Sequence, residues 1–144
     1  MKSLLSLPGL PKPGQRLDLP PYPPSADALA LSRLAHRGRL LVAVSASPLE
    51  AQRLAEEIAW FAPELRTHLL PDWETLPYDA FSPHQDLVSE RLATLHAVSR
   101  QECELLIVAA ATAVTRLAPP AFLLGHTFFM KKGERLGLDA LRSQ

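Results

Sequence analysis

The sequence predicts an α/β domain with a partial parallel sheet flanked by helices. Two short apolar runs, residues 40–44 and 104–109, lie between turn signals, as the strands of a covered parallel sheet do. Segments with helical spacing of apolar residues alternate with these runs along the chain. The 144 residues, 47% of them hydrophobic, suffice for one domain with a buried core.

The chain opens with a proline-rich arm, residues 1–24. Seven prolines in this segment favour an extended, polyproline-like backbone over packed structure. The folded part is expected to begin at Ser25, which can act as the N-cap of a helix that reaches about residue 36. The apolar face of this helix is expected at Leu29, Ala30 and Leu34.

The first strand, residues 40–44, is expected to be buried on both faces because its apolar run is uninterrupted. A strong helix start follows, with Ser47 as the cap, Pro48 at the first helical position and Glu50 placed to bond back to the cap. This helix should end before Pro63. Its apolar stripe is expected at Leu54, Ile58 and Phe61.

The second half of the chain continues the alternation. A short strand over residues 66–70 leads into a loop, and Ser82-Pro83 predicts the start of a helix that reaches about residue 100. The apolar stripe of this helix is expected at Val88, Leu92 and Leu95. The remaining predicted elements are a buried strand over residues 104–109, a short helix over 112–117 and a further strand over 126–131.

The loop between the second strand and the third helix, residues 71–86, is the most distinctive part of the chain. Its three prolines fix the backbone and remove donors, so neither a helix nor a central strand can run through it. It nevertheless contains Trp73, Tyr78 and Phe81, and such large aromatic side chains are usually packed within the protein or used to contact a partner. We therefore expect a structured loop whose aromatic residues pack onto the sheet edge or onto a partner.

The residues do not predict nucleotide hydrolysis. A phosphate-binding loop needs glycines for close backbone approach and a lysine for the terminal phosphates. Gly38 is the single glycine between Gln15 and Leu124, and no lysine lies between Pro13 and Met130. Fifteen basic residues balance fifteen acidic ones, so no overall positive field draws the chain to nucleic acid.

Acidic residues in and after the loop leave a second hypothesis open. No lysine or arginine lies between positions 67 and 90 to balance the acidic residues there, which are Asp72, Glu74, Asp79, Asp86 and Glu90. Paired carboxylates could bind a divalent metal and perform acid–base chemistry, which would make the chain a small stand-alone α/β enzyme. Helix capping and solvation of the loop are the alternative roles, because no histidine stands at a metal-ligand spacing beside them.

Two further features have ordinary structural explanations. Cys103 precedes a buried strand, which predicts a structural thiol, and a single cysteine excludes an internal disulfide. Lys131, Lys132 and Arg135 form a possible basic contact patch for phosphates, with a solvated face as the alternative. The sequence therefore assigns no catalytic, cofactor-binding or metal-binding residue.

The chain carries no signal for a membrane or for export. No window approaches the roughly 18 consecutive apolar residues of a membrane span. Pro8 and Gly9 interrupt the apolar run near the N-terminus that an export signal would need. We therefore expect a cytoplasmic protein with no membrane partner.

Three stretches of the sequence resemble the N-terminal region of the bacterial transcription-repair coupling factors (Mfd). They are PDWETLPYDAFSPHQDLVSERLATL (71–95), ELLIVAAATAVTRLAPP (104–120) and GHTFFMKKGERLGLDALRSQ (125–144). The resemblance extends over most of the chain from about residue 25. It implies a packing role for the signature residues of the loop, which are Trp73, Glu74, Leu76, Pro77, Tyr78, Asp79, Ser82 and Pro83.

In that family the region resembles the first domain of the excision-repair protein UvrB, a degenerate helicase-type (RecA-like) lobe. The resemblance implies that residues 25–122 form an incomplete lobe and that residues 123–144 begin a UvrA-binding-type domain. It implies no cofactor for this chain, since ATP and Mg²⁺ belong to a motor further along the parent protein. The implied partners are the parent's remaining domains, UvrA, RNA polymerase and DNA, the last two through domains beyond this sequence.

The resemblance thus implies an N-terminal fragment, truncated at residue 144, that serves as a non-catalytic scaffold or interaction module. The parent would release stalled RNA polymerase in an ATP-dependent manner and recruit excision repair through UvrA. A partial sheet should leave an unpaired strand edge and exposed apolar surface, and the isolated chain should be marginally stable. An active helicase lobe and a metal enzyme built on the acidic loop are the competing hypotheses.

Overall fold

The computed structural model of the chain describes residues 7, 9, 11–35, 38–73, 75 and 79–126. Its helices and strands, in chain order, are α1 (Ala26–Ala35), β1 (Leu41–Ser45), α2 (Pro48–Phe61), β2 (Thr67–Leu70), α3 (Gln85–Ser99), β3 (Leu105–Ala109), α4 (Ala110–Ala113) and α5 (Pro120–His126). The predicted order is confirmed from α1 to β3. Residues 11–24 lie in neither a helix nor a strand, as their proline content predicts.

The three strands form one parallel sheet in the order β1-β3-β2. β3 is central, and its Leu105 lies opposite Leu41 of β1 and Thr67 of β2. Four of the five residues of β3 are buried, as its unbroken apolar run predicts. The predicted class, an α/β fold with a partial parallel sheet flanked by helices, is confirmed.

The two crossovers place helices on opposite faces of the sheet. The connection from β1 to β2 carries α2 across β3, and the connection from β2 to β3 returns in the opposite direction with α3. Because such crossovers are right-handed, the reversal of direction puts α3 on the face away from α2. α2 contacts all three strands, whereas α3 contacts β2 and α5.

The start of α2 follows the predicted capping chemistry closely. Ser47 Oγ accepts the N–H of Glu50 at 3.2 Å, and Glu50 Oε2 accepts the N–H of Ala46 at 3.1 Å. The carboxylate thus reaches back to the residue before the cap. The helix ends at Phe61, where Ala62 donates its N–H to the Ile58 carbonyl at 2.8 Å.

The core lies between α1, α2 and the near face of the sheet. Ile58, Leu105 and Ile107 are each 0% exposed and form its centre. The α2 stripe is confirmed at Leu54 and Ile58, with Phe61 packed against the cluster and half-buried. Burying such side chains fully contributes about 1.5–3 kcal/mol each relative to leaving them exposed.

α1 packs against α2 through small residues, which corrects the predicted face of this helix in part. Ala30 is buried as predicted, but Leu29 and Leu34 are only half-buried. The other buried residues are Ala28, Ser32 and Ala35. Residues at i, i+4 and i+7 share one helix face. Small side chains on that face let the two helix backbones approach closely. The sequence pattern instead followed the large apolar residues, which lie on a neighbouring stripe of the helix.

Two serines do not cap helices as predicted. Ser25 has a φ of 64°, and its hydroxyl donates to Glu57 Oε1 at 3.1 Å instead of capping α1. Ser82 is exposed and lies ahead of α3, which begins at Gln85 with His84 as the N-cap. His84 Nδ1 accepts the Asp86 N–H at 3.3 Å, so a competing cap two residues further along sets the start of the helix.

The C-terminal helices also differ from prediction. The short helix expected over residues 112–117 is α4 at Ala110–Ala113, directly after β3. Pro120 does not end a helix but opens α5, where its fixed φ and missing N–H cost nothing. Residues 127–131 of the predicted last strand lie outside the described residues. No helix in the described part of the chain is long and apolar enough to cross a membrane.

The far face of the sheet is only partly covered. Val42 and Val44 of β1 are 48% and 59% exposed, and Leu40 on the same side is 45% exposed. The prediction that the first strand is buried on both faces is therefore wrong. Its neighbour Val108 on β3, opposite Val44, is buried, so the described helices cover the β2 side of this face and leave the β1 side open.

Arg53 on α2 joins α1 to α2 through charged hydrogen bonds. Its guanidinium donates to Asp27 Oδ2 and to Glu57 Oε2, each at 2.7 Å. Burial opposes ionisation of Asp27, but hydrogen bonds from Arg53 and from the Ala28 N–H outweigh it and lower the pKa of Asp27. The hydrogen bonds to Asp27 and Glu57 raise the pKa of Arg53.

Replacing Asp27 by Asn should lower the free energy of unfolding by about 1 kcal/mol, because an ion pair and a negative charge in the first helical turn are both lost. The Asp27 and Arg53 side chains are 34% and 37% exposed, so solvent screening keeps the effect modest. Urea denaturation measures it. The matched control is Asp18→Asn, whose pair with Arg16 is 78% and 87% exposed. Equal effects of the two substitutions would contradict this assignment.

The same carboxylate makes stability depend on pH at the acid end. Because the pKa of Asp27 is lower in the folded chain, its contribution is present above the ordinary value of 3.8 and is lost as the pH falls through the folded-state value. The Asp27→Asn variant should therefore lose less stability than the wild type below pH 3.8. Acid-unfolding curves measure this, and an equal loss of unfolding free energy in the two proteins below pH 3.8 would refute it.

Candidate interaction site at the carboxyl end of the sheet

The aromatic loop leaves β2 at the carboxyl end of the sheet, where α/β folds place their binding sites. The described residues of the loop between 71 and 84 lie in no helix or strand, as predicted, and residues 85 and 86 begin α3. Of the signature residues, Trp73, Asp79, Ser82 and Pro83 are described. The others, Glu74, Leu76, Pro77 and Tyr78, lie outside the described residues, as do Lys131, Lys132 and Arg135 of the predicted basic patch.

Arg91 on α3 fixes the first part of this loop. Its side chain is buried, donates from Nη1 to the Pro71 carbonyl, and stacks with its guanidinium carbon 4.2 Å from the centre of the Trp73 ring. Burial lowers the pKa of Arg91, while the nearby negative charge of Asp72 acts in the opposite direction. Arginine stays protonated, so a positive charge is held under the loop.

Two threonines complete the attachment of the loop. Thr94 on α3 donates to the Leu69 carbonyl at 3.1 Å, and Thr112 on α4 donates to Asp72 Oδ1 at 2.8 Å. The same Asp72 oxygen accepts the Trp73 N–H at 2.9 Å. We name Asp72, Trp73, Arg91, Thr94 and Thr112 the polar clasp. It joins the loop to two helices that follow it in the chain.

The clasp shows why the predicted stripe of α3 is only partly right. Of its residues, Val88 and Leu95 are half-buried and Leu92 is 38% exposed. The fully buried residues of this helix are Arg91, Thr94 and Ala97. Apolar spacing cannot identify a face that is buried for its polar contacts. One signal was present in the sequence: Arg91 is the first basic residue after the uncompensated acidic segment 67–90.

A crevice of about 340 Å³ opens beside the clasp. Its lining comes from the start of α2, the end of β2, the loop, α3 and β3: Pro48, Ala51, Gln52, Leu69, Leu70, Pro71, Asp72, Trp73, Leu87 and Ala109. Trp73 remains 39% exposed. The crevice is therefore largely apolar with one carboxylate and one amide, which suits a side chain of a packed partner more than a polar substrate.

The acidic residues do not assemble into a metal site in the described part of the chain. No group of three His, Cys, Asp or Glu side chains there could hold a metal ion. Asp72 already accepts hydrogen bonds from Thr112 and Trp73. Asp86 is 93% exposed and lies 3.4 Å from His84 Nδ1. Within the residues that the structure describes, the acidic side chains therefore give no support to the metal-enzyme hypothesis.

The helix N-termini that could accept a phosphate hold the chain's own carboxylates. Glu50 occupies the start of α2, and Asp27 Oδ1 accepts the Ala28 N–H at 2.8 Å at the start of α1. Helix N-termini bind anions through free N–H groups and the positive end of the dipole. In α1 the Asp27 carboxylate uses a first-turn N–H, and in α2 the Ser47 hydroxyl uses the N–H of Glu50. Both carboxylates repel an incoming phosphate.

Phe81, at the far side of the loop, is 81% exposed, so it does not pack onto the sheet edge, and its packing onto a partner stays a prediction. Asp79 and Ser82 beside it are also exposed, and Pro83 is half-buried. Aromatic packing thus occurs at Trp73, next to the strand, and not at Phe81. At the opposite end of the sheet, burial raises the pKa of the free Cys103 thiol, as expected for a structural cysteine.

Replacing Arg91 by Met should lower the free energy of unfolding by about 2 kcal/mol, because the Pro71 carbonyl loses a charged donor and Trp73 loses its cation. Arg91→Lys should recover only part of this loss, since an ammonium group lacks the planar fork that reaches both partners. Urea denaturation and Trp73 fluorescence, recorded in a Trp60→Phe background, measure both effects.

The matched control is Arg100→Met, which removes an exposed arginine just after the same helix. Such a surface change should alter stability by less than about 0.5 kcal/mol. If Arg91→Met left both stability and the Trp73 emission unchanged, the clasp would not be holding the loop.

Comparison with known proteins places this chain beside one group. No protein-family model matches it. It is 44% identical over 121 residues to the transcription-repair-coupling factor of Escherichia coli, a match that covers 83% of this chain and 10% of the relative. The corresponding factor of Haemophilus influenzae is 36% identical over 146 residues, covering 100% of this chain and 13% of the relative.

A third relative, the factor of Mycobacterium tuberculosis, is 41% identical over 80 residues, or 56% of this chain. The chain spans about a tenth of the length of the first two relatives. The match to the Haemophilus influenzae factor includes the loop, the clasp and every described element, because it extends over the whole chain. The chain is therefore homologous to a small part of the bacterial transcription-repair coupling factors.

Proposed function

We propose that this chain is a non-catalytic interaction module of a transcription-repair coupling factor. The observation that carries the proposal is the 44% identity to the Escherichia coli factor over 83% of the chain. That relative is named as a factor that couples transcription to repair. A segment covering 10% of it contributes to that task by packing and recruitment, because its own residues offer little chemistry.

The helix N-termini support the absence of nucleotide chemistry. Asp27 accepts the Ala28 N–H in the first turn of α1, and Ser47 accepts the Glu50 N–H in the first turn of α2, where the Glu50 carboxylate adds a negative charge. The sequence supplies no lysine between Pro13 and Met130 for a terminal phosphate. A lobe with these features provides a frame on which other segments pack.

The open face of the sheet supports a packing role. Leu40, Val42 and Val44 expose aliphatic side chains on one side of an edge strand. Parallel sheets are normally covered on both faces, so such a strip is a contact surface. The relatives are about ten times longer than the matched segment and have ample sequence to cover it.

For the whole coupling factor we propose the activity that the resemblance implies. It releases stalled RNA polymerase with ATP and Mg²⁺ at a motor outside this segment, and it recruits excision repair through UvrA in the cytoplasm. Within it, residues 25–122 serve as a UvrB-like lobe. The basic patch at Lys131, Lys132 and Arg135 belongs to the domain that follows.

A chimaeric coupling factor tests the proposal. This chain replaces its homologous segment in the Escherichia coli factor, and repair of transcribed DNA after ultraviolet damage is measured in a strain lacking its own factor. The chimaera should restore repair. Val44→Glu should abolish most of that repair, because it places a charge on the surface that other segments must cover.

Val114→Glu is the matched control, since Val114 is 84% exposed and lies after α4, outside the sheet. It should leave repair intact. A folded wild-type chimaera that fails to restore repair would contradict the proposed function. Equal repair by the Val44→Glu and wild-type chimaeras would contradict the packing role of the open face.

A further inference from the structure

We propose that two copies of this chain pair through the free edge of β1, forming an antiparallel contact that joins two three-stranded sheets into one of six strands. The proposal concerns the chain when nothing else covers that edge. It depends on the geometry of β1 and not on the homology described above.

The edge carries backbone groups that are ready to pair. Leu41 donates its N–H to the Glu104 carbonyl at 2.9 Å, toward β3. Alternate residues of a strand direct their N–H and C=O groups the same way, so those of Val42 and Val44 point to the other side. Among the described residues, β1 pairs with β3 alone.

The two edges of the sheet are not equivalent. At the β2 edge, Thr94 of α3 already donates to the Leu69 carbonyl. Among the described residues no side chain donates to the outer edge of β1 in this way. Leu41–Ser45 also contains no charged residue, proline or glycine, the residues that natural edge strands use against pairing. The chain as a whole has zero net charge, so two copies do not repel each other.

The sequence of β1 is complementary to itself about Ala43. An antiparallel pair with its two-fold axis at Ala43 sets Val42 of one copy opposite Val44 of the other, and the reverse. Both pairs then exchange backbone hydrogen bonds, and their valine side chains meet on the exposed face. An aliphatic strip would run across both copies.

Charges at the ends of the strand agree with this register. Arg39 is exposed just before β1, and the same two-fold axis sets it opposite Ser47 of the second copy, one helical turn before Glu50. The Glu50 side chain accepts the Ala46 N–H and lies 4.0 Å from Arg53, but it is 43% exposed and keeps a solvent-facing side. Each end of the contact therefore brings a guanidinium near a carboxylate, which favours a second copy in antiparallel orientation.

Sedimentation equilibrium of the purified chain tests the proposal. The wild type should rise from 15.8 kDa toward twice that mass as its concentration increases. Val44→Lys should weaken the association at least tenfold by placing a charge at the edge, whereas Val114→Lys, at a more exposed valine outside the sheet, should not. Circular dichroism establishes that each variant is folded, and Val42→Lys replaces Val44→Lys if the latter is not.

Hydrogen exchange of the wild type provides a reading that needs no variant. The amides of Val42 and Val44 should gain protection with concentration, while that of Leu41, already bonded to β3, should not change. A chain that stays monomeric at all concentrations overturns the proposal. A dimer that forms equally well in the Val44→Lys and Val42→Lys variants also overturns it. So does a dimer in which the Val42 and Val44 amides gain no protection.

Discussion

The burial of one positive charge sets the arrangement of the carboxyl end of this sheet. Arg91 stays under the loop because the Pro71 carbonyl, the Trp73 ring and the negative potential of Asp72 replace the water that its guanidinium loses. Satisfying those partners fixes the rotation of α3 about its axis. Thr94, one turn further along the same face, is thereby brought to the β2 carbonyl. The loop, the helix and the strand end are consequently positioned together.

This constraint gives the sheet two unlike sides. The side under α1 and α2 is closed by aliphatic packing around Ile58 and Ile107, whose exposure is zero. The other side is held by polar contacts at β2 and is open at β1, where Val42 and Val44 meet solvent. The loop is thus anchored at one side of this face, and an apolar strip is exposed at the other. That combination agrees with a segment that spans about a tenth of its relatives.

Local signals in the sequence were sufficient for much of the fold. The capping residues of α2 and the apolar run of β3 depend on neighbours within a few positions, and both predictions are confirmed. The incorrect predictions, for β1 and α3, concern features that depend on tertiary contacts. An uninterrupted run such as β1 does not reveal that nothing covers its far face. The buried face of α3 is polar because it meets backbone carbonyls distant in sequence, and no periodicity encodes that partnership. The clasp could therefore be located only from the structure.

The central claim is that the fold provides a surface and not a nucleotide site. Titration of the chain with a fluorescent ATP analogue and Mg²⁺ tests it most directly, since a degenerate lobe and an active one differ first in phosphate binding. With carboxylates at the starts of α1 and α2, we expect no saturable signal up to high micromolar concentration. Saturable, Mg²⁺-dependent binding that unlabelled ATP displaces would contradict the account.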